Sequence, residues 1–170
     1  MIKDRIKDKN SAVVVTGISI VLITAIIVSA IIFYPSVKAR SVLRDMEDML
    51  FDAKVKSATV YDPGAGNDIF NEGGTQHIAT ESESKKLSEL IVKITSDATY
   101  SSKDNSDIFF DYDYRIRFRF ESDKTISFFF SNGMFYVTNE GTRYFFVTKD
   151  EAAYIELFSF AESLINSENT

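Results

Sequence analysis

The chain has 170 residues, of which 19 are basic and 25 acidic, so its formal net charge is −6 at pH 7. Proteins that bind nucleic acid concentrate positive charge, and this acidic balance excludes nucleic acid as an expected partner. The sequence has no cysteine, which excludes disulfides, thiolate zinc sites and a cysteine nucleophile. Its 15 phenylalanines and 8 tyrosines supply enough apolar area for one substantial core.

The first element is a stretch without any charged residue between Lys9 and Lys38. A helix needs about 20 apolar residues to cross the hydrocarbon layer of a bilayer, and Ala12–Tyr34 exceeds that length. We interpret residues 11–36 as a transmembrane helix that follows a stub over residues 1–10. A cleaved signal peptide is the alternative, but its apolar region is typically about 7–15 residues long.

The charges that flank this span indicate its orientation. Four basic residues precede it and three follow it: Lys3, Arg5, Lys7 and Lys9, then Lys38, Arg40 and Arg44. Because cytoplasmic flanks carry the excess of lysine and arginine, we expect a cytoplasmic N-terminus and a C-terminal domain outside the membrane. The expected location is therefore the cell membrane, which the chain crosses once.

Small residues within the span define a candidate helix-pairing face. Ala25 and Ser29 are four residues apart, the spacing that lets two membrane helices approach closely. Alternatively, these small residues reflect the ordinary composition of a single membrane span that does not pair with another helix. Pro35 lies near the end of the span, where a proline costs little or marks a break.

A helix is predicted directly after the span, either separate from it or continuous with it. Apolar residues recur at intervals of three and four over Val37–Ala53, which indicates an amphipathic helix that serves as a linker over residues 37–54. An α+β domain over residues 55–166 and a tail over residues 167–170 complete the chain. Lys54–Tyr61 opens this domain as a strand.

Two capping boxes predict the helices of this domain. Thr80 and Glu83 precede the apolar periodicity of a helix over Glu81–Thr95. Thr148 and Glu151 have the same spacing before a closing helix that ends near Asn166.

An antiparallel meander of four strands lies between these helices. Polar and apolar residues alternate along each strand, as they do in a sheet with one buried face. The predicted strands are Ile108–Glu121, Thr125–Ser131, Met134–Thr138 and Arg143–Val147. Asn132-Gly133 is a strong signal for a tight hairpin, and Ala98–Tyr100 is a further short strand. In the first strand, alternation places Tyr112, Tyr114 and Ile116 on the core side. The predicted fold class is thus α+β, with the meander packed against helices.

The candidate binding patch consists of Arg115, Arg117 and Arg119. Alternate residues of a strand point the same way and lie about 6.6 Å apart, so three guanidinium groups form a row that suits a carboxylate or a phosphate. The alternative is a solvated face on which acidic residues of the same strand neutralise the arginines: Asp111, Asp113 and Glu121.

Four apolar residues alternate with the core set and therefore point to the other side of the sheet: Phe129, Tyr136, Phe145 and Val147. If they are exposed, they form an apolar patch for a partner. The alternative is that one of the three helices covers them.

No catalytic constellation is visible in the sequence. His77 is the one histidine, and it has no neighbours at metal-ligand spacing, so we expect a surface or half-buried structural role. Asp104–Asp107 does not follow the order of a calcium-binding EF-hand loop. We therefore expect no enzyme activity, no cofactor and no bound metal.

The order of elements from Val55 to Leu164 resembles that of small, uncharacterised extracytoplasmic domains of low-GC Gram-positive bacteria. These domains have an N-terminal span or lipid anchor, a strand, a helix like Thr80–Thr95, an aromatic-rich meander like Tyr112–Val147 and a final helix. The resemblance implies a bacterial, membrane-anchored domain. From the flanking charges and the absence of cysteine, we expect a head outside the membrane that binds a protein partner or ligand. The alternative function is that of an accessory subunit of a membrane complex that assembles through the span.

Overall fold

The computed structural model describes residues 2–52, 55–64, 74–101 and 112–167, with the backbone alone for residues 2–17 and 52. Contacts within the chain divide it into two compact units, one over Met1–Lys38 and one over Ala39–Thr170.

The first unit consists of the N-terminal part of helix α1, which runs over Ile2–Asp52. Pro35 lies inside this helix and does not end it. The segment Ile18–Phe51 is long and apolar enough to cross a membrane, and a signal sequence near an N-terminus passes the same test. The Thr24 hydroxyl donates to the Ile20 carbonyl at 2.8 Å, so this polar side chain is satisfied within its own helix.

The second unit is built on one antiparallel sheet of seven strands, in the order β2-β1-β4-β5-β6-β7-β3. The strands are β1 (Val55–Asp62), β2 (Thr75–Ala79), β3 (Thr99–Tyr100), β4 (Tyr114–Phe120), β5 (Thr125–Ser131), β6 (Met134–Asn139) and β7 (Thr142–Val147). Helices α2 (Glu81–Ser96) and α3 (Glu151–Ser167) follow β2 and β7. The fold class α+β and the four-strand meander are thus confirmed.

All helical packing in the core is on one side of the sheet, which we call the inner face. This face carries fully buried aromatic side chains from β4 to β7: Phe118, Phe120, Phe128, Phe130, Phe135 and Phe146. They form one cluster with residues of α2, of α3 and of the second part of α1, where Ala39 and Leu43 are fully buried. Alternation along the strands explains why the phenylalanines reach this face together.

Helix ends in this unit are capped by specific side chains. The predicted box at α2 is present, since the Glu83 amide donates to Thr80 Oγ1 at 3.3 Å and the Thr80 amide donates to Glu83 Oε2 at 2.7 Å. At the other end of α2, the Arg40 guanidinium donates to the carbonyls of Thr95 and Ser96, at 2.9 and 2.8 Å. These bonds satisfy carbonyls that a helix terminus leaves without partners.

The predicted box at α3 is wrong. Asp150 caps this helix, because its Oδ1 accepts from the Ala153 amide at 2.9 Å. Thr148 Oγ1 is buried and has no hydrogen-bond partner in the described part of the chain. A carboxylate two residues closer to the first turn takes the role that sequence spacing assigns to the hydroxyl.

Two further differences concern the strands. β2 has no counterpart among the predicted strands. Tyr112 is predicted on the inner face, but its ring contacts Phe129 on the opposite side, 5.3 Å between centroids. The chain bends at Asp113, before β4 begins, so alternation does not extend back to Tyr112. The expected pairing of Ile69 and Phe70, the loop Asp104–Asp107 and the start of the strand Ile108–Glu121 lie outside the described residues.

Candidate binding surface on the outer sheet face

The side of the sheet opposite the helices, which we call the outer face, holds the three predicted arginines. β4 pairs with β1 so that Arg115, Arg117 and Arg119 stand beside Tyr61, Thr59 and Ser57. On its other side β4 pairs with β5, where the same arginines stand beside Phe129, Ser127 and Thr125. The row of three guanidinium groups therefore lies in the middle of the outer face.

Arg119 is neutralised by a carboxylate from outside its own strand. Its Nη2 donates to Asp123 Oδ1 at 2.8 Å, across the turn between β4 and β5. The hydrogen bond and charge of Arg119, with a smaller effect of Lys56, lower the pKa of the Asp123 carboxyl below its usual value. The four-residue separation is the one signal in the sequence for this pair, which the strand pattern does not predict.

Arg115 is held by an aromatic ring. Its guanidinium carbon lies 4.6 Å from the centroid of the Tyr61 ring, within the range of a cation–π interaction. Its Nε is shielded from solvent and has no hydrogen-bond partner among the described residues. This arginine makes no ion pair with a carboxylate of the described residues.

Arg117 is the exposed arginine of the row that has no acidic partner in the described part of the chain. Thr59 and Ser127, its two cross-strand neighbours, are half-buried and carry hydroxyl groups. A guanidinium between two hydroxyls offers several hydrogen-bond donors to one oxyanion.

The described acidic residues that are expected to neutralise the row make no ion pair with its arginines. Asp113 Oδ2 accepts from the Asn132 amide at 3.3 Å. Glu121 is exposed and makes no ion pair with a described residue. Asp111 lies outside the described residues. Within the described residues, neutralisation by an ion pair thus holds for Arg119 alone.

The apolar residues of the outer face form a second, smaller cluster, which we call the outer cluster: Phe129, Met134, Tyr136 and Phe145. The Phe129 and Tyr136 rings stack in parallel, 4.3 Å between centroids, and Phe145 lies 5.5 Å from Tyr136. Tyr136 is only 4% exposed and Phe145 8%, so these rings are buried although the described helices contribute no residue to the cluster. Val147 stays 41% exposed.

Burial of the outer cluster keeps its phenol neutral. Burial raises the pKa of Tyr136 to about 12, against the opposing effect of Arg143. The Arg143 guanidinium lies 5.5 Å from the centroid of the same ring. Burial also raises the pKa of Tyr112. These tyrosines therefore add no negative charge to this face near neutral pH.

The remaining candidates from the sequence are His77, a metal site and the helix-pairing face of Ala25 and Ser29. His77 is buried, deeper than expected, and its Nε2 donates to Glu83 Oε2 at 3.1 Å. In the described ranges no group of three His, Cys, Asp or Glu side chains is arranged for a metal ion. Ala25 and Ser29 are exposed on α1 within the apolar segment.

Comparison of the chain with models of protein families, with curated proteins and with solved structures gives no match. Function is therefore inferred from the geometry of the outer face and from helix α1.

Proposed function

We propose that the chain is a single-pass, membrane-anchored protein whose α+β unit binds an anionic partner through the outer face of its sheet. Helix α1 supports the anchor, because its apolar segment has the length and composition that a span requires. The flanking basic residues support a cytoplasmic N-terminus and a folded unit outside the membrane.

One observation carries the binding role: Arg117 is an exposed guanidinium with no acidic partner in the described chain, between two hydroxyl side chains. Arg115 beside it is positioned by Tyr61 and not by a carboxylate. In a chain with a net charge of −6, such a concentration of unneutralised arginine favours a ligand with carboxylate or phosphate groups.

The binding role is tested with a fluorescent hexaglutamate peptide and the full chain in detergent micelles. We expect binding that weakens as salt rises, because exposed charges are screened over about 10 Å at 0.1 M salt. Arg117→Gln should weaken it at least several-fold, whereas the control Lys85→Gln, an exposed change on α2, should not. Equal effects of the two substitutions would contradict a site on the outer face.

The location is tested with single cysteines, which are unique labels in this cysteine-free chain. In intact cells, a membrane-impermeant maleimide should label Ser167→Cys, at the exposed end of α3, and should label Asn10→Cys only after lysis. Protection of Ser167→Cys until lysis would place the folded unit in the cytoplasm and contradict the proposed orientation.

A further inference from the structure

Helix α3 presents a face with the opposite charge to the outer face of the sheet. Its exposed residues include Glu151, Glu156 and Glu162, and the helix contains no basic residue. None of these glutamates makes an ion pair with a described residue. Ile155 lies among them and is 57% exposed, so this surface, which we call the acidic face of α3, has an apolar centre.

The acidic face of α3 and the outer face of the sheet are on opposite sides of the folded unit. α3 packs through Leu157, Ala161 and Leu164 into the core on the inner face, in contact with β1, β2 and α2. Its glutamates are exposed, and the arginines of β4 alternate with the residues that pack against the helices. The two surfaces cannot meet within one chain.

We propose that the anionic partner of the outer face is the acidic face of α3 in a second copy of this chain. This inference rests on the proposed function, since it names the partner of the same surface. Arg115, Arg117 and Arg143 supply positive charge on one side, and three glutamates supply the matching negative charge on the other. Exposed apolar side chains accompany both surfaces, Ile78 and Val147 on the sheet and Ile155 on the helix.

Such a contact is heterologous, because two different surfaces of the chain meet. A contact of this kind leaves one outer face and one acidic face unused in every pair, so further copies add head to tail. Guanidinium–carboxylate pairs fix the orientation, but exposed pairs contribute little individually. The association is therefore weak and salt-dependent in solution, and confinement of anchored copies to one membrane raises their effective concentration.

Site-directed cross-linking tests this arrangement. Ser127→Cys places a thiol beside Arg117, and Ser159→Cys places one on the exposed side of α3. The two full-length variants are mixed in detergent micelles and treated with a short bismaleimide. We expect mixed dimers in at least several-fold excess over those from either variant alone, with a yield that falls between about 50 mM and about 500 mM salt. Ser82→Cys, an exposed position on α2, replaces Ser159→Cys as the control.

Each other outcome overturns the inference. Dimers of Ser127→Cys with itself in excess would indicate that two outer faces meet, and equal yields with Ser82→Cys would indicate random collision. In both cases, loss of hexaglutamate binding in Arg117→Gln would still support the proposed function. Retention of hexaglutamate binding in Arg117→Gln would contradict the proposed function, and with it the charge pairing on which the inference rests, even if the mixed dimer formed.

Discussion

The two faces of the sheet use the same strands for different purposes. On β4, Ile116, Phe118 and Phe120 are fully buried against the helices, while Arg115, Arg117 and Arg119 alternate with them on the other side. The inner face has one continuous core, and the outer face has a small aromatic cluster beside incompletely neutralised charge. On β4, residues that stabilise the fold thus alternate with residues available for binding, except Arg119, which pairs with Asp123.

The largest expected effect comes from the inner face. Phe128 is fully buried and contacts the rings of Phe118, Phe130 and Phe135. Phe128→Ala should lower the free energy of unfolding by about 3–5 kcal/mol, because it removes apolar area and leaves a cavity. Urea unfolding of the chain in micelles, followed by near-UV circular dichroism of the tyrosines, measures the change. Phe128→Leu should cost less, and equal costs would contradict a closely packed inner face.

A smaller loss of stability is expected from the outer cluster. Phe129 is half-buried and stacks on Tyr136, so Phe129→Ala should lower the free energy of unfolding by about 2 kcal/mol. The same urea titration measures it. A loss as large as that of Phe128→Ala would contradict the smaller contribution of the outer face to stability, because that face would then be a second core.

The cap of α2 makes the stability of the folded state depend on pH. The hydrogen bond from His77, followed by that from the Thr80 backbone, lowers the pKa of the Glu83 carboxyl below its usual value of 4.5. A carboxyl with a lowered pKa in the folded state stabilises the protein above its unfolded pKa and loses this effect as pH falls through the folded pKa.

Glu83→Gln keeps an acceptor for the cap but removes the charge. The variant should therefore melt at a lower temperature than the wild type near pH 6, and the two melting temperatures should converge below pH 4.5. Thermal melts from pH 6 down to about pH 3 check the sign, because the difference should be constant above pH 4.5 and shrink below it. A constant difference across this range would contradict a role for the ionised carboxylate.

The smallest effect on stability is expected where charge alone changes on the outer face. Asp123→Asn removes the partner of Arg119, an exposed pair. We expect little change in melting temperature and a several-fold increase in affinity for hexaglutamate, because a third arginine becomes available to the ligand. Glu89→Gln on α2 is the matched control, since it removes one exposed negative charge at a distance from the outer face. An equal increase in both variants would indicate a general effect of net charge.

Strong local patterns make the meander and α2 predictable. Asn132 and Gly133 have φ values of 47° and 75°, as the hairpin signal requires, and the Thr80–Glu83 box is present. β2 escapes prediction because Thr75–Ala79 is a short strand at the sheet edge and directly follows glycines.

The details of the candidate site depend on backbone paths that composition does not reveal. Alternation places the three arginines on one face, but the bend at Asp113 moves Tyr112 to that face as well. The turn after β4 brings Asp123 to Arg119, whereas Glu121, which is closer in sequence, makes no ion pair with a described residue. Ion pairs across turns follow from turn geometry, which spacing alone does not fix.

The most direct test of the division between the two faces measures stability and binding in the same variant. Arg117→Gln should leave the free energy of unfolding within about 0.5 kcal/mol of the wild type, since its side chain is exposed and unpaired among described residues. It should at the same time weaken hexaglutamate binding at least several-fold. An unchanged affinity, or a loss of stability comparable to that of Phe129→Ala, would contradict the assignment of the outer face to binding.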